Sequence, residues 1–580
     1  MKRRLSWALW FLSIAGCATA SSTAQRCPCS TGPGAERVPS HETGVGFVVV
    51  TPDRGFMGNT EVEDAFSVLQ KEHNSAFAVV TDQRTSSDLA TALRKVADRG
   101  ARRAVVLPFF LSSEAKFLLL QRLVTEERWP IPITLARPFG QSYLAIEVLA
   151  DRLQAIREPK GRRVVIVGHG AEPSSVALQE AELQRMANQA SEGFGFESVQ
   201  VLSWPELDKE DGQDDHVKAA LSERLKGAPR PVVVPFHLGW KLDSMMSFTA
   251  LLTEQVKGLA EIVDVDVTPH SAVGTWMLRE ARRQLALRDE DVGVVLLAHG
   301  SDYEWNETMW SSVAPLASRF KIEPAFCMAD PPLVERAVRR LEARGARAIV
   351  IVRVFGLARS FERDIERMIG WDVEGRAPSG QGVHEGHRGP PRPGYQTAGG
   401  HGNGRHGRAG PVPRIRASVP MVTVGGLEDA PYFADALLDR ALSLSKDPAR
   451  ETVILVAHGA GPDAVNDHWR DVLASIAQRI RSGRGAQFRA VKVGTWREDW
   501  PVKREPEVAA IRRMVEEATR DGGRAIVIPA RTTGVGPEKR FLAGLPVEIG
   551  TGFAPHPLFE RWFEEQVRLG ILRLSGAAAR

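Results

Sequence analysis

Short runs of consecutive aliphatic residues recur along the chain, and each stops abruptly at a polar break. Three runs end in His-Gly: Val164-Val165-Ile166-Val167-Gly168-His169-Gly170, Val294-Val295-Leu296-Leu297-Ala298-His299-Gly300 and Val453-Ile454-Leu455-Val456-Ala457-His458-Gly459. A fourth, Val48-Val49-Val50-Thr51-Pro52-Asp53, keeps the run and has lost the histidine. Unbroken β-branched and aliphatic residues predict a strand buried on both faces, as in a parallel sheet, and the following Gly lets the backbone turn tightly into a helix. Each imidazole is therefore expected at the carboxyl edge of a sheet, where open α/β folds place their ligands.

The run opens a unit that occurs four times. A helix follows, then second strands closing near 77–80, 199–202, 324–328 and 490–493, then an Arg/Glu-rich helix. Third strands share one flavour at 103–108, 231–235, 347–352 and 524–529, and a fourth strand with an edge loop is expected at 136–140, 268–271, 424–427 and 553–557. Alternating strands and helices predict an α/β fold of tandem flavodoxin-like, doubly wound parallel sheets. Four units are expected to form two pairs, with sheets facing across a cleft. Their spans are 45–158 (degenerate, without its first-strand histidine), 161–288, 291–446 and 451–575. Asn59 and Asn306 stand at matching positions in the first and third units, which argues for duplication. Residues 372–418 interrupt the third unit with Gly, Pro, Arg and His, including His384, His387, His401 and His406. Without an apolar period this segment is expected to be a flexible insertion, serving either as an idle loop or as a collector of divalent metal.

A chain of 580 residues is too long for one core, and its net charge of +4 is small. Basic residues are scattered among acidic ones without an aromatic platform, which excludes a nucleic-acid partner. Lys2-Arg3-Arg4 followed by an apolar stretch over 5–14 predicts a signal peptide, too short for a comfortable membrane span. Ile14-Ala15-Gly16-Cys17 resembles a bacterial lipobox. On that resemblance 1–17 is a lipoprotein signal peptide, Cys17 is the lipidated first residue, 18–44 is a tether, and the protein is exported and lipid-anchored to a bacterial membrane, facing the periplasm or cell surface. A plain secreted protein is the alternative. Four cysteines make no disulfide framework. Cys27 and Cys29 read as incidental thiols or a weak metal or redox site, and Cys327 as packing.

The order of apolar strand, His-Gly, an acidic Asn-containing stretch, Gly-Ala-Arg-Ala-Ile-Val and an edge loop resembles the class II tetrapyrrole chelatases, the sirohydrochlorin cobaltochelatase and ferrochelatase branch, in four tandem divergent copies. The most specific carriers are His299-Gly300-Ser301 with Asn306, and His458-Gly459 with Asn466. The resemblance implies insertion of a divalent metal, cobalt or iron with nickel and zinc as further candidates, into a sirohydrochlorin-type tetrapyrrole. The metal is a substrate and no organic cofactor is implied. It makes His169, His299 and His458 the catalytic candidates. An imidazole suits both roles, since it ligates such metals and takes up a proton near neutral pH. The departures are a Pro at position 52, Lys116, and Ser360 with Phe361 where the family has a second histidine, and Thr533-Gly534-Val535-Gly536 in the fourth unit; Asp364-Ile365 is kept.

Apart from the family, the second unit offers a metal constellation. His169, His237 and His270 follow its first, third and fourth strands, neighbours in a flavodoxin-like order, and are expected to converge. The fourth unit offers a thinner version in His458, His468 and His556. With His299 these histidines are the candidate metal ligands, and a hydrogen-bonded residue at a helix start is the alternative for each. Asp302, Glu304, Glu307, Asp463 and Asp467 read as proton acceptors or as helix-dipole partners. Trp240, Trp276, Trp305 and Trp310 read as macrocycle platforms or as packing. The function these features imply is a chelatase, with a non-catalytic exported metal- or tetrapyrrole-binding lipoprotein as the alternative.

Overall fold

The computed structural model describes residues 44–575 except 82, 206–212, 239–247, 264–266 and 375–413. The signal peptide, Cys17, Cys27, Cys29, the tether up to residue 43, Trp240 and the four histidines of the insertion lie outside the described residues.

Unit 1 runs β1 (Val45–Pro52), α1 (Gly55–Gln70), β2 (Ser75–Val80), α2 (Thr85–Asp98), β3 (Arg103–Pro108), α3 (Ala115–Glu126), β4 (Ile133–Leu135) and α4 (Tyr143–Gln154). Unit 2 runs β5 (Arg163–Ala171), α5 (Val176–Ala190), β6 (Ser198–Pro205), α6 (Gln213–Leu225), β7 (Val232–Pro235), α7 (Phe248–Val256), β8 (Glu261–Ile262) and α8 (Ser271–Arg283). Unit 3 runs β9 (Val292–Ala298), α9 (Tyr303–Ser311), β10 (Lys321–Phe326), α10 (Pro331–Ala343), β11 (Ala348–Val354), α11 (Glu362–Met368), α12 (Trp371–Glu374), β12 (Met421–Gly425) and α13 (Pro431–Leu444). Unit 4 runs β13 (Glu451–Ala457), α14 (Asp463–Ser482), β14 (Ala490–Thr495), α15 (Pro501–Thr519), β15 (Arg524–Pro529), α16 (Glu538–Phe541), β16 (Val547–Ile549) and α17 (Pro557–Leu574).

Each unit is a four-stranded parallel sheet in which the first strand lies between the second and third and the fourth is at the edge. This is the doubly wound order expected from the strand and helix alternation. The first strands are central because they are apolar on both faces, and every residue of β9 and β13 is buried. Burying one such side chain stabilises the fold by about 1.5–3 kcal/mol relative to exposure. The fourth strands are short and end before the loops where they were expected. Those loops, 136–140, 268–271 and 553–557, instead lead into the closing helices.

Pairing is achieved by the closing helices. One continuous apolar core joins units 1 and 2, and another joins units 3 and 4. In the second pair α17 packs on β11 and β12 of unit 3, while α13 packs on β15 of unit 4. Gly570 makes that approach possible, since a Cβ there would stand 2.4 Å from Val350 Cγ1. In the first pair α8 lies on α1, where a Cβ on Gly274 would meet Val68 Cγ2 at 2.9 Å.

The two pairs meet through buried charge. Glu374, 2% exposed at the end of α12, accepts bonds from Arg279 Nη2 at 2.9 Å, from Arg283 and from Ser142 Oγ at 3.0 Å. The Tyr143 hydroxyl donates to Ile415 O at 2.6 Å and accepts from Ala417 N at 3.3 Å, and burial pushes this phenol up to about 12. Residues 372–374 and 414–418 therefore belong to the fold, although their composition reads as insertion. Arg414 and Arg416 reach Glu147 and Asp151 of α4, and Ile415 and Ala417 are buried.

Candidate functional site

The His-Gly step is built the same way in units 3 and 4. In each, Gly takes a left-handed conformation, with φ 79° at both Gly300 and Gly459, which folds its carbonyl back toward the preceding ring. His299 Nδ1 lies 2.5 Å from Gly300 O and His458 Nδ1 2.9 Å from Gly459 O. A carbonyl only accepts, so Nδ1 carries the proton and Nε2 is the lone-pair nitrogen of the neutral ring. The Asn of the sequence signature braces this loop. Asn306 Oδ1 accepts from Ser301 N at 3.1 Å, and the buried Asn466 accepts from Ala460 N at 3.2 Å. Asn59 accepts from Arg54 N at 2.9 Å in unit 1, where the histidine is absent.

Unit 4 adds carboxylates to its histidine. His458 Nε2 stands 3.0 Å from Glu498 Oε1 and 3.0 Å from Asp499 Oδ2, both in the loop that follows β14 beside β13. The loop turns at Arg497, whose φ of 49° is left-handed, and the Glu498 amide bonds back to His458 O at 3.4 Å. Trp500 meets the imidazole edge-on at 6.0 Å. Both ring nitrogens thus face oxygen acceptors, an arrangement that a ring carrying a second proton satisfies. The reading from sequence missed Glu498 and Asp499. The signal was present as two consecutive acids directly after the strand that neighbours the His-Gly strand.

In unit 2 the three expected imidazoles are not brought together. His169 and His237 have ring centroids 5.9 Å apart, but Phe248 packs against both, at 4.4 and 4.7 Å, and Trp204 against Phe248 at 5.4 Å. Burial, and then the charges of His169, Arg152 and Arg54, drive His237 well below its ordinary range and keep it neutral. His270 is turned to another task. It caps α8, with Nδ1 accepting from Ala272 N at 3.1 Å, and its Nε2 meets Asp151 Oδ2 at 3.0 Å. Burial works against ionisation of Asp151, but hydrogen bonds from His270 and Arg416 hold it at about 2.

Unit 4's other histidines are diverted in the same way. His556 caps α17, accepting from Leu558 N at 3.2 Å, with Nε2 3.7 Å from Asp439. His468 reaches across to Glu428 of unit 3 at 3.4 Å. Among the described residues no group of three or more His, Cys, Asp or Glu side chains is arranged to hold a metal ion. The expected convergence of His169, His237 and His270, and of His458, His468 and His556, is not seen among the described residues: in His270 and His556 both ring nitrogens already serve helix caps and carboxylates.

Most of the other candidates prove structural. Asp302 caps α9 through Trp305 N at 2.8 Å, and Asp463 is held by Arg497 at 2.7 Å and Lys503 at 2.9 Å. Trp276 is fully buried among Phe109 and Phe139, and Trp305 and Trp310 pack against the core of units 3 and 4. Cys327 is buried, and burial raises its thiol. An open groove of about 990 Å³ lies along α14, β14 and α15, with Val491, Lys492 and Arg513 on its walls and no histidine.

Tandem doubly wound units with a His-Gly step at the carboxyl edge define a chelatase-type α/β protein. Residues 57–156 and 293–387, which fall in units 1 and 3, match the CbiX family. No curated protein matches the sequence. Among solved structures the chain is similar to SirB from Bacillus subtilis with Fe3+, at 14% identity and a TM-score of 0.31, over 41% of this chain and 95% of that one. It is similar to the sirohydrochlorin chelatase SirB of Bacillus subtilis subspecies spizizenii in complex with cobalt, at 16% identity, a TM-score of 0.31, and 41% and 94% coverage. A multi-domain protein from Deinococcus radiodurans, DR2241, described as structurally similar to chelatases, aligns at 17% identity with a TM-score of 0.29, over 48% of this chain and 60% of that one.

Proposed function

We propose that this chain is a chelatase that inserts a divalent metal, cobalt or iron, into a sirohydrochlorin-type tetrapyrrole, and that units 3 and 4 carry the reaction. The observation that carries the reading is His458 Nε2 set 3.0 Å from the carboxylates of Glu498 and Asp499 on a half-exposed edge. Metal entry replaces two pyrrole N–H protons, so the reaction takes in one M²⁺ and releases two H⁺. An imidazole flanked by two carboxylates supplies a place for such a proton, because its protonated ring is hydrogen-bonded on both nitrogens. His299, exposed and with Nε2 as lone-pair nitrogen, supplies a ligand for the incoming ion. Unit 1 has no first-strand histidine, and the unit 2 imidazoles pack on Phe248.

The test is cobalt insertion into sirohydrochlorin by the purified protein, followed by absorbance. Accelerated insertion that is lost on His458→Ala supports the reading, and stoichiometric binding without turnover replaces it with a carrier. Export and a lipid anchor at Cys17 are proposed from residues 1–17 alone, and intact mass of the membrane-extracted protein tests them. No helix among the described residues is long and apolar enough to cross a membrane.

A further inference from the structure

The carboxylate pair beside His458 poses an electrostatic problem. Two carboxylates converge on one nitrogen, where their like charges repel. Arg531, two residues past the end of β15, answers it. Its Nη2 donates to Glu498 Oε2 at 2.6 Å, while the other oxygen of the same carboxylate faces His458 Nε2 at 3.0 Å. One carboxylate thus bridges guanidinium and imidazole.

The guanidinium is itself seated. Its Nε lies 3.8 Å from Oε1 of Glu538, a carboxylate with no exposed surface that accepts from Trp496 Nε1 at 3.0 Å. Gly536 leaves room for it: a Cβ at that position would stand 2.3 Å from Arg531 Cζ. The register makes the position distinctive. Pro529 of β15 pairs with Val456, and Pro235 of β7 pairs with Val167, so the site that Arg531 fills in unit 4 is filled by His237 in unit 2. By the same pairing units 1 and 3 have Phe110 and Phe355 there. In both units where this position is polar it faces the first-strand histidine, directly in unit 2 and through Glu498 in unit 4.

We propose that Arg531 is a positioning residue for His458, holding Glu498 in the orientation that keeps one oxygen on the imidazole, with Glu538 as its buried seat. This deepens the chelatase reading and rests on it for its consequence in the reaction, although the geometry is independent of it. Lys supplies the charge without the planar fork, so Arg531→Lys retains part of the function and Arg531→Met none. Gly536→Ala displaces the guanidinium without removing it.

The experiment uses the full chain with these three variants and two readouts. In cobalt insertion into sirohydrochlorin, Arg531→Met is expected to lower kcat by about 10- to 100-fold with KM unchanged, with partial recovery in Arg531→Lys. In the second readout diethyl pyrocarbonate modifies the metal-free protein and mass spectrometry follows His458. Its modification is expected to accelerate severalfold in Arg531→Met and Gly536→Ala, as Glu498 swings off Nε2. Wild-type modification rates in both variants overturn the proposal, as does a fall in kcat without that acceleration. If the wild-type chain inserts no cobalt, the chelatase reading fails, and the modification rates still decide the role of Arg531. Should Arg531→Met fail to fold, Gly536→Ala and Arg531→Lys decide it.

Discussion

His270 and His556 occupy the same place in their units: each is the N-cap of a closing helix, with Nδ1 accepting from the amide two residues on and Nε2 turned to a carboxylate. Replacing either by Ala is expected to lower unfolding free energy by about 1 kcal/mol, the usual worth of a side-chain cap, and Asn is expected to restore most of it. Neither change is expected to alter cobalt affinity. Urea denaturation beside isothermal titration with cobalt checks both statements, and a loss of cobalt binding in His270→Ala returns that residue to the metal site.

Glu374 joins the pairs, so its loss leaves Arg279 and Arg283 buried without their partner. Breaking such a pair is expected to cost roughly 3–5 kcal/mol in Glu374→Ala, read as a lowered urea midpoint. Burial opposes its ionisation, but the charges of Arg279 and Arg283 win and hold it at about 2. A carboxyl whose folded value is depressed stabilises above its unfolded value near 4.3 and loses that stabilisation as pH falls toward the folded value. Thermal melts of the wild type are therefore expected to fall between about pH 4.3 and pH 2, less steeply in Glu374→Gln. Glu280, which burial raises, acts in the opposite sense, so the comparison is best made in a Glu280→Gln background.

Activity separates the two pairs. His458→Ala is expected to lower insertion by at least about 100-fold, the lower end of what a general acid–base group contributes, and His299→Ala to weaken cobalt binding. His169→Ala is expected to leave the rate within about 2-fold, because its ring packs against Phe248, which also packs against His237. Steady-state kinetics on the three variants checks this, and equal losses from His169 and His458 would place a working site in each pair.

Gly570 tests how units 3 and 4 are joined. A larger side chain there meets Val350 of the neighbouring unit, and Gly570→Leu is expected to destabilise by about 1–3 kcal/mol through overpacking. The shorter Val350→Ala is expected to recover part of that loss in the double variant, since the two residues are in contact. Thermal unfolding of the single and double variants measures the coupling.

The strand cores, their order in each sheet and the four-fold repetition were legible in the chain because they rest on local pattern. An apolar run buried on both faces carries the same signature wherever it occurs, and strand–helix alternation leaves few topologies open. The His-Gly step was legible for the same reason, being a strand end followed by a residue free to adopt positive φ. The direction of an imidazole beyond that point is set by contacts with residues distant in sequence. His270 and His237 follow neighbouring strands, yet one turns to Asp151 across 119 positions and the other packs on Phe248.

Composition read residues 372–418 as outside the core, and Ile415 and Ala417 are buried because α4 of another unit closes over them. The chain by itself thus determined four parallel sheets, three of them with a histidine at the edge, as hydrophobic periodicity is a local property. Which histidine meets a carboxylate, which caps a helix and which packs on a ring was decided by tertiary structure alone, since only folding brings Glu498 and Arg531 to His458.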